Sequence, residues 1–231
     1  MALISVFTDQ IRQDRIRPYE ERVAELAAEA RKKKEGWRWT AHAVGFGSLA
    51  RIYHVSQHED HADLEKRGDP LALFTRVLGE KKGEKHLEDV TECLVSSERI
   101  LATQRPDLSY PQQPPAGIAP VSSVAAIRAR PGQQDVVEEL LRKFAEAVPK
   151  TGENARIGTA QQLTGDMSIY WIVRPLESLS QLDQQSVGQD LLIKAFGKTE
   201  GERIFRAGLA GADQVQREIT TYREDLSNPP S

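Results

Sequence analysis

Two nine-residue stretches constrain this chain more than anything else in it. TQRPDLSYP runs from Thr103 to Pro111 and TYREDLSNP from Thr221 to Pro229, and six of the nine positions agree at a constant offset of 118. At the same offset Ser5-Val6 falls on Ser123-Val124, Gly79 on Gly197, and Gly83-Glu84-Lys85 on Gly201-Glu202-Arg203. Ile52-Tyr53 falls on Ile169-Tyr170 at 117, a slip of one residue that a hairpin would absorb. Collinear matches in both halves are the mark of a unit written twice.

Each half reads strand, helix, strand, strand, helix, strand. In the first, Leu3 to Ile11 is rich in β-branched and aromatic residues. Val23, Leu26, Ala27 and Ala30 place an apolar stripe on a helix over Glu20 to Lys34. Trp37 to Val44 and Ala50 to Ser56 form a hairpin about Gly45-Phe46-Gly47-Ser48. Asp69-Pro70 opens a helix as N-cap and first residue, with Leu71, Phe74 and Leu78 as its apolar face. Arg99 to Arg105 closes the half.

The second half gives a strand at Val124 to Arg130 and a helix carrying Val137, Leu140, Leu141, Phe144 and Val148 that Pro149 ends. A hairpin follows from Arg156 to Gln162 and Ser168 to Arg174 through Thr164-Gly165-Asp166. Helical pattern covers Gln189 to Ala210 with a break near Gly197, and the last strand is Val215 to Arg223. Four prolines between Pro111 and Pro120 make an extended connector. It sets the expected domains at 1–113 and 119–231. The fold class is α+β: two tandem ferredoxin-like β-α-β-β-α-β repeats packed sheet to sheet.

This layout resembles the dimeric α/β-barrel superfamily, which includes antibiotic-biosynthesis-monooxygenase-like, EthD-like, NIPSNAP-like and chlorite-dismutase-like proteins. The resemblance implies a barrel built within one chain and a small, largely apolar metabolite bound or oxidised. It also supplies two tests. Haem-binding chlorite-dismutase-like proteins use a histidine in the second half, and here His42, His54, His58, His61 and His86 all lie in the first. The monooxygenases of this fold use an Asn, Trp and His set, whereas the only asparagines here are Asn154 and Asn228, in a loop and in the tail. Haem is therefore not expected.

Composition excludes other classes. A net charge of −3 gives no basis for a nucleic-acid surface, and 39% apolar content with 28% charged residues fits a globular chain. No apolar run approaches a membrane span. Cys93 is the only cysteine, so no intrachain disulfide forms and a cytoplasmic setting is expected. Sheet edges at the repeat ends favour a homodimer.

Three sets of residues are candidates for chemistry. His54, His58 and His61, in HVSQHEDHAD, have the donor types for a transition metal; the competing reading is a solvated loop. Trp39, His42, Tyr53 and His54 on the first hairpin, with Tyr170 and Trp171 on its counterpart, outline a ligand pocket; the competing reading is sheet core. In that alignment His54 falls on Trp171, so the two halves present different groups at an equivalent position. His86 stands where the second half has Ile204, as a base or ligand or as a packing residue. No nucleophilic triad or phosphate loop is present. The function expected is a small-molecule binding or oxidising protein, and the alternative is a non-catalytic assembly module. The duplicated nonapeptide reads as a seam, with Arg105 and Arg223 paired to Asp107 and Asp225 and Leu108 and Leu226 covering an edge.

Overall fold

The computed structural model describes residues 3–111 and 117–230. The chain divides into two compact units, one of residues up to Ala102 together with those from Thr221 onward, the other Thr103–Thr220. The division falls at 102/103 and 220/221, whereas the proline-rich connector lies at 111–120, and residues 112–116 of that connector are outside the described residues. Among the described residues no helix is long and apolar enough to cross a membrane.

Unit 1 runs β1 (Leu3–Ile11), α1 (Ile16–Lys32), β2 (Thr40–Phe46), β3 (Arg51–His58), α2 (His61–Arg67), α3 (Pro70–Leu78), α4 (Glu80–Glu92) and β4 (Leu94–Gln104). Its strands lie in the order β4-β1-β3-β2, and β1–β3 and β2–β3 pair antiparallel. One face of this sheet packs on the helices through Ile11, Trp37, Trp39, Ala41 and Ile52 against Tyr19, Val23, Leu26, Phe74 and Val77. Asp69 caps α3 as its residue type dictates, its side chain accepting from the Ala72 amide with Pro70 at the first turn. The inward face of α3 is Leu73, Phe74 and Val77, and Leu71, expected inside, is exposed. Gly79 (φ +86°) turns the chain between α3 and α4, and a Cβ on Gly83 would stand 2.6 Å from the Phe74 carbonyl oxygen, so only glycine lets the two helices approach.

Unit 2 runs β5 (Val121–Ala129), α5 (Gln134–Thr151), β6 (Gly158–Gln162), β7 (Ile169–Leu176), α6 (Gln181–Gln184), α7 (Gln189–Phe196), α8 (Lys198–Ala210) and β8 (Ala212–Tyr222). The strand order is β8-β5-β7-β6, with β5–β7 and β6–β7 antiparallel. Its core joins Ile127, Val137, Leu140, Leu141, Tyr170, Leu192 and Ile204. Pro149 does not end α5 as its type suggests. It is accommodated in the last turn, and the helix stops at Gly152 in the left-handed conformation.

The strand registers remove the slip of one residue. Leu3 faces His58 and Val121 faces Leu176; Phe7 faces His54 and Ala125 faces Ile172. Both pairings are related by 118, so the counterpart of His54 is Ile172, not Trp171, and Tyr170 corresponds to Ile52. The Ile-Tyr identity at 117 is a coincidence of neighbouring residues.

The two nonapeptides are arms rather than edge covers. Leu108 is fully buried within the core of unit 2, and Leu226 within the core of unit 1. Arg105 grips Asp107 at 2.9 and 2.7 Å and reaches Glu138 on α5 at 2.6 and 2.9 Å. Arg223 grips Asp225 at 2.9 and 2.8 Å and pairs with Glu20 on α1. Ser109 Oγ accepts from the Thr159 amide at 2.9 Å, and Ser227 Oγ from the Ala41 amide at 2.8 Å. Each half of the sequence thus closes the other half's compact unit.

Candidate functional site

Alternation along β1 and β3 decides which side chains meet. Phe7 faces His54 and Asp9 faces Ile52, so Phe7, Asp9 and His54 share the face that α1 covers. α1 begins at Ile16 and brings Tyr19, fully buried, between them. The Tyr19 hydroxyl donates to Asp9 Oδ2 at 2.6 Å and lies 2.8 Å from His54 Nε2. Ser97 on β4 donates to Asp9 Oδ1 at 2.5 Å, so both carboxylate oxygens are engaged. His54 Nε2 is 3.7 Å from Asp9 Oδ2, and its side chain retains 13% exposure.

Burial first and Asp9 second push the Tyr19 phenol well above its ordinary pKa, so it stays protonated. Burial holds the His54 imidazole below its usual pKa although Asp9 acts in the opposite sense, and the ring is neutral near pH 7. Tyr19 has one proton and gives it to Asp9. His54 Nε2 must then be the donor to Tyr19, which leaves the lone pair on Nδ1. The result is a neutral base whose tautomer is set by a buried carboxylate through a phenol.

Aromatic groups and a cation flank this network on the same face. The Arg99 guanidinium lies 4.9 Å from the Phe7 ring centroid and 5.6 Å from that of Trp37, and its Nε donates to Ser5 Oγ at 3.1 Å. Trp37 is fixed by its Nε1 donating to Ser56 Oγ at 3.0 Å. Arg99 is exposed on β4, two residues along from Ser97, so the network lies beside solvent.

Unit 2 keeps the arginine–serine contact, as Arg217 Nε donating to Ser123 Oγ at 2.9 Å, but not the network. At the positions 118 residues on, Asp9, Tyr19, His54 and Ser97 become Ile127, Val137, Ile172 and Val215, while Phe7 and Trp37 become Ala125 and Ala155. Every hydrogen-bonding member of the network is aliphatic in a unit that keeps the same strand registers. The network is therefore not something this arrangement of strands and helices requires.

The expected site residues are distributed differently from the single pocket they suggested. His42 faces Tyr53 in register, so its side chain lies on the sheet face opposite His54. His42 Nε2 lies 3.0 Å from Thr40 Oγ1 and its ring 5.7 Å from that of Tyr222; burial, then His54, lowers its pKa to about 4. Trp39 is core, its Nε1 donating to the Leu226 carbonyl at 2.8 Å. His86 packs between α4 and α1, with Nε2 2.7 Å from the Arg22 carbonyl and its ring 5.9 Å from Phe74. Tyr170 and Trp171 belong to unit 2, where Tyr170 donates to Glu138 at 2.8 Å.

The three histidines of the metal reading do not converge. His54 and His58 are four residues apart on one strand, about 13 Å along it. His61 opens α2 and is exposed, and His58 Nδ1 instead meets Asp63 at 3.3 Å. Among the described residues no group of three or more His, Cys, Asp or Glu side chains is arranged to hold a metal ion. Asp9, Tyr19 and Ser97 escaped the sequence reading. Comparing residues at the common offset, polar against aliphatic, would have exposed them.

No protein-family model matches the sequence, and no curated protein matches it either. Solved structures do match in fold. An anthrone oxidase-like protein aligns over 99% of this chain and 94% of its own, at 14% identity and a TM-score of 0.60. A protein from Lactobacillus acidophilus NCFM, provisionally named a monooxygenase, aligns over 99% and 97% at 7% identity and a TM-score of 0.55. A variant chlorite dismutase from Candidatus Nitrospira defluvii aligns over 97% and 94% at 12% identity and a TM-score of 0.56. The chain shares its fold with these structures, a mixed α+β arrangement with antiparallel sheet.

Proposed function

We propose that unit 1 is the working half of two tandem ferredoxin-like repeats and that His54, oriented by Tyr19 and Asp9, serves as a general base toward a small, mainly apolar aromatic molecule held beside Phe7 and Trp37. One observation carries this reading: the whole network is replaced by Ile127, Val137, Ile172 and Val215 in a unit with the same registers. Burying a carboxylate, a phenol and an imidazole costs free energy that aliphatic side chains avoid, so retention of all three in one unit calls for a use other than folding. As His54 takes up a proton, Asp9 at 3.7 Å stabilises the imidazolium.

The names of the fold neighbours support an oxidative outcome by fold analogy alone, and they suggest anthrone as a probe. His54 would remove a proton from the methylene carbon, and dioxygen would oxidise the resulting anion. Cleavage of the O–O bond leaves one oxygen as the new carbonyl of anthraquinone and releases the other as water. Oxygen uptake with anthrone tests this. The wild type is expected to exceed buffer, and His54→Ala to lower the rate by about 100-fold. Uptake no faster than buffer, or unaffected by His54→Ala, rejects the proposal.

A further inference from the structure

Unit 2 carries a different concentration of charge on the matching face. Arg174 on β7 faces Ser123 on β5 in register, so their side chains share one face, and Arg217 on β8 donates through Nε to the same Ser123 Oγ at 2.9 Å. Arg174 is only 9% exposed. Its Nη2 donates to Gln185 Oε1 at 2.9 Å, while its Nε is buried with no partner among the described residues. Glu153 is near enough for its charge to be felt by Arg174, but it accepts from the Ser186 amide and hydroxyl at 3.0 and 2.8 Å and from Lys194 at 2.8 Å. Among the described residues neither arginine is in an ion pair. A buried guanidinium with an idle donor, beside a second cation and with Glu153 already engaged by Ser186 and Lys194, is an unfavourable arrangement unless an anion completes it.

Unit 1 shows what the same positions do when no anion is needed. There Ser56 stands for Arg174, and Phe7 and Trp37 close around Arg99; in unit 2 the two rings are trimmed to Ala125 and Ala155 beside Arg217. Arg217 is exposed, so the pair is reachable from solvent.

We propose that Arg174, Arg217 and Ser123 form a binding site for a small oxyanion, the carboxylate or phosphate end of a small molecule. Planar guanidinium groups suit such oxyanions because two N–H donors match two oxygens. The site is independent of the His54 network and stands or falls without it.

Calorimetric titration with inorganic phosphate and, separately, with benzoate at matched ionic strength provides the test. At least one anion should bind saturably with a stoichiometry of one, and Arg217→Gln should weaken it by about tenfold or more, with Arg217→Lys recovering part of the loss. Binding of phosphate alone assigns a phosphate ligand, and binding of benzoate alone a carboxylate. Because Arg217 is exposed, its substitution leaves the fold intact, which circular dichroism verifies. Failure of both anions to bind beyond a chloride control overturns the proposal. So does binding that survives Arg217→Gln, or that is lost instead on Arg99→Gln in unit 1.

Discussion

The two units share strand registers, the glycine contact between their paired helices and the arm that closes their cores, yet they differ almost completely at one place. Where unit 1 has Asp9, Tyr19, His54 and Ser97, unit 2 has Ile127, Val137, Ile172 and Val215. The shared parts identify what the architecture needs. Leu108 and Leu226, the paired arginines and Gly83 and Gly201 recur because each fills the same mechanical slot. The divergent part identifies what it does not need, and the proposed general-base chemistry would account for keeping a buried polar network in only one unit.

If the arms are mechanical, they should cost the same on both sides. Leu108→Ala and Leu226→Ala each remove a fully buried side chain from a core, and each should destabilise its unit by about 3 kcal/mol, read by urea unfolding. A large loss on one side with a negligible one on the other would break the parallel between the units.

The next effect belongs to unit 1 alone, because the counterpart of His42 is Ala160. The folded pKa of His42, about 4, lies below that of the unfolded chain, near 6.5. Its contribution to stability is complete above the unfolded value and is lost as the pH falls toward the folded one, because the unfolded state takes up a proton that the folded state refuses. Stability should therefore fall by up to about 2 to 3 kcal/mol between pH 7 and pH 4, and His42→Phe should flatten that slope in urea titrations. The depressed pKa of His54 acts in the same direction.

The smallest expected effect is again shared. Gly79 and Gly197 adopt φ of +86° and +83°, and nothing lies within 4 Å of a Cβ at either. Gly79→Ala and Gly197→Ala should each cost about 1 kcal/mol from backbone strain alone, and by equal amounts in thermal unfolding.

Much of the frame was legible in the sequence. β1 has the bounds its composition gives, Asp69 and Pro70 open α3, and Gly197 divides α7 from α8. β4 and β8 begin earlier than expected, at Leu94 and Ala212, because the five residues after each of these are exposed and lack a strand's alternation. The polar run after His58 hides α2, whose cap is Asp60 accepting from the Asp63 amide. Of the network only His54 stood out, by residue type. An aspartate in a strand and a tyrosine in a helix are ordinary apart, and they become a site only when the β1–β3 register and α1 bring them together. The exchanged arms were hidden for a related reason: a local motif shows where a chain turns, not which core its leucine enters.

Whether the Asp9–Tyr19–His54 network is dispensable for folding is read from the stability of the combined variant Asp9→Ile, Tyr19→Phe, His54→Ile. Removing all three polar groups together leaves only the exposed Ser97 hydroxyl without its partner, and water can replace Asp9 there, so the unfolding free energy in urea should lie within about 1 kcal/mol of the wild type or above it, while Asp9→Ile alone loses about 2 kcal/mol by stranding Tyr19. A combined variant that loses as much as or more than the single one would show instead that the network holds the fold together.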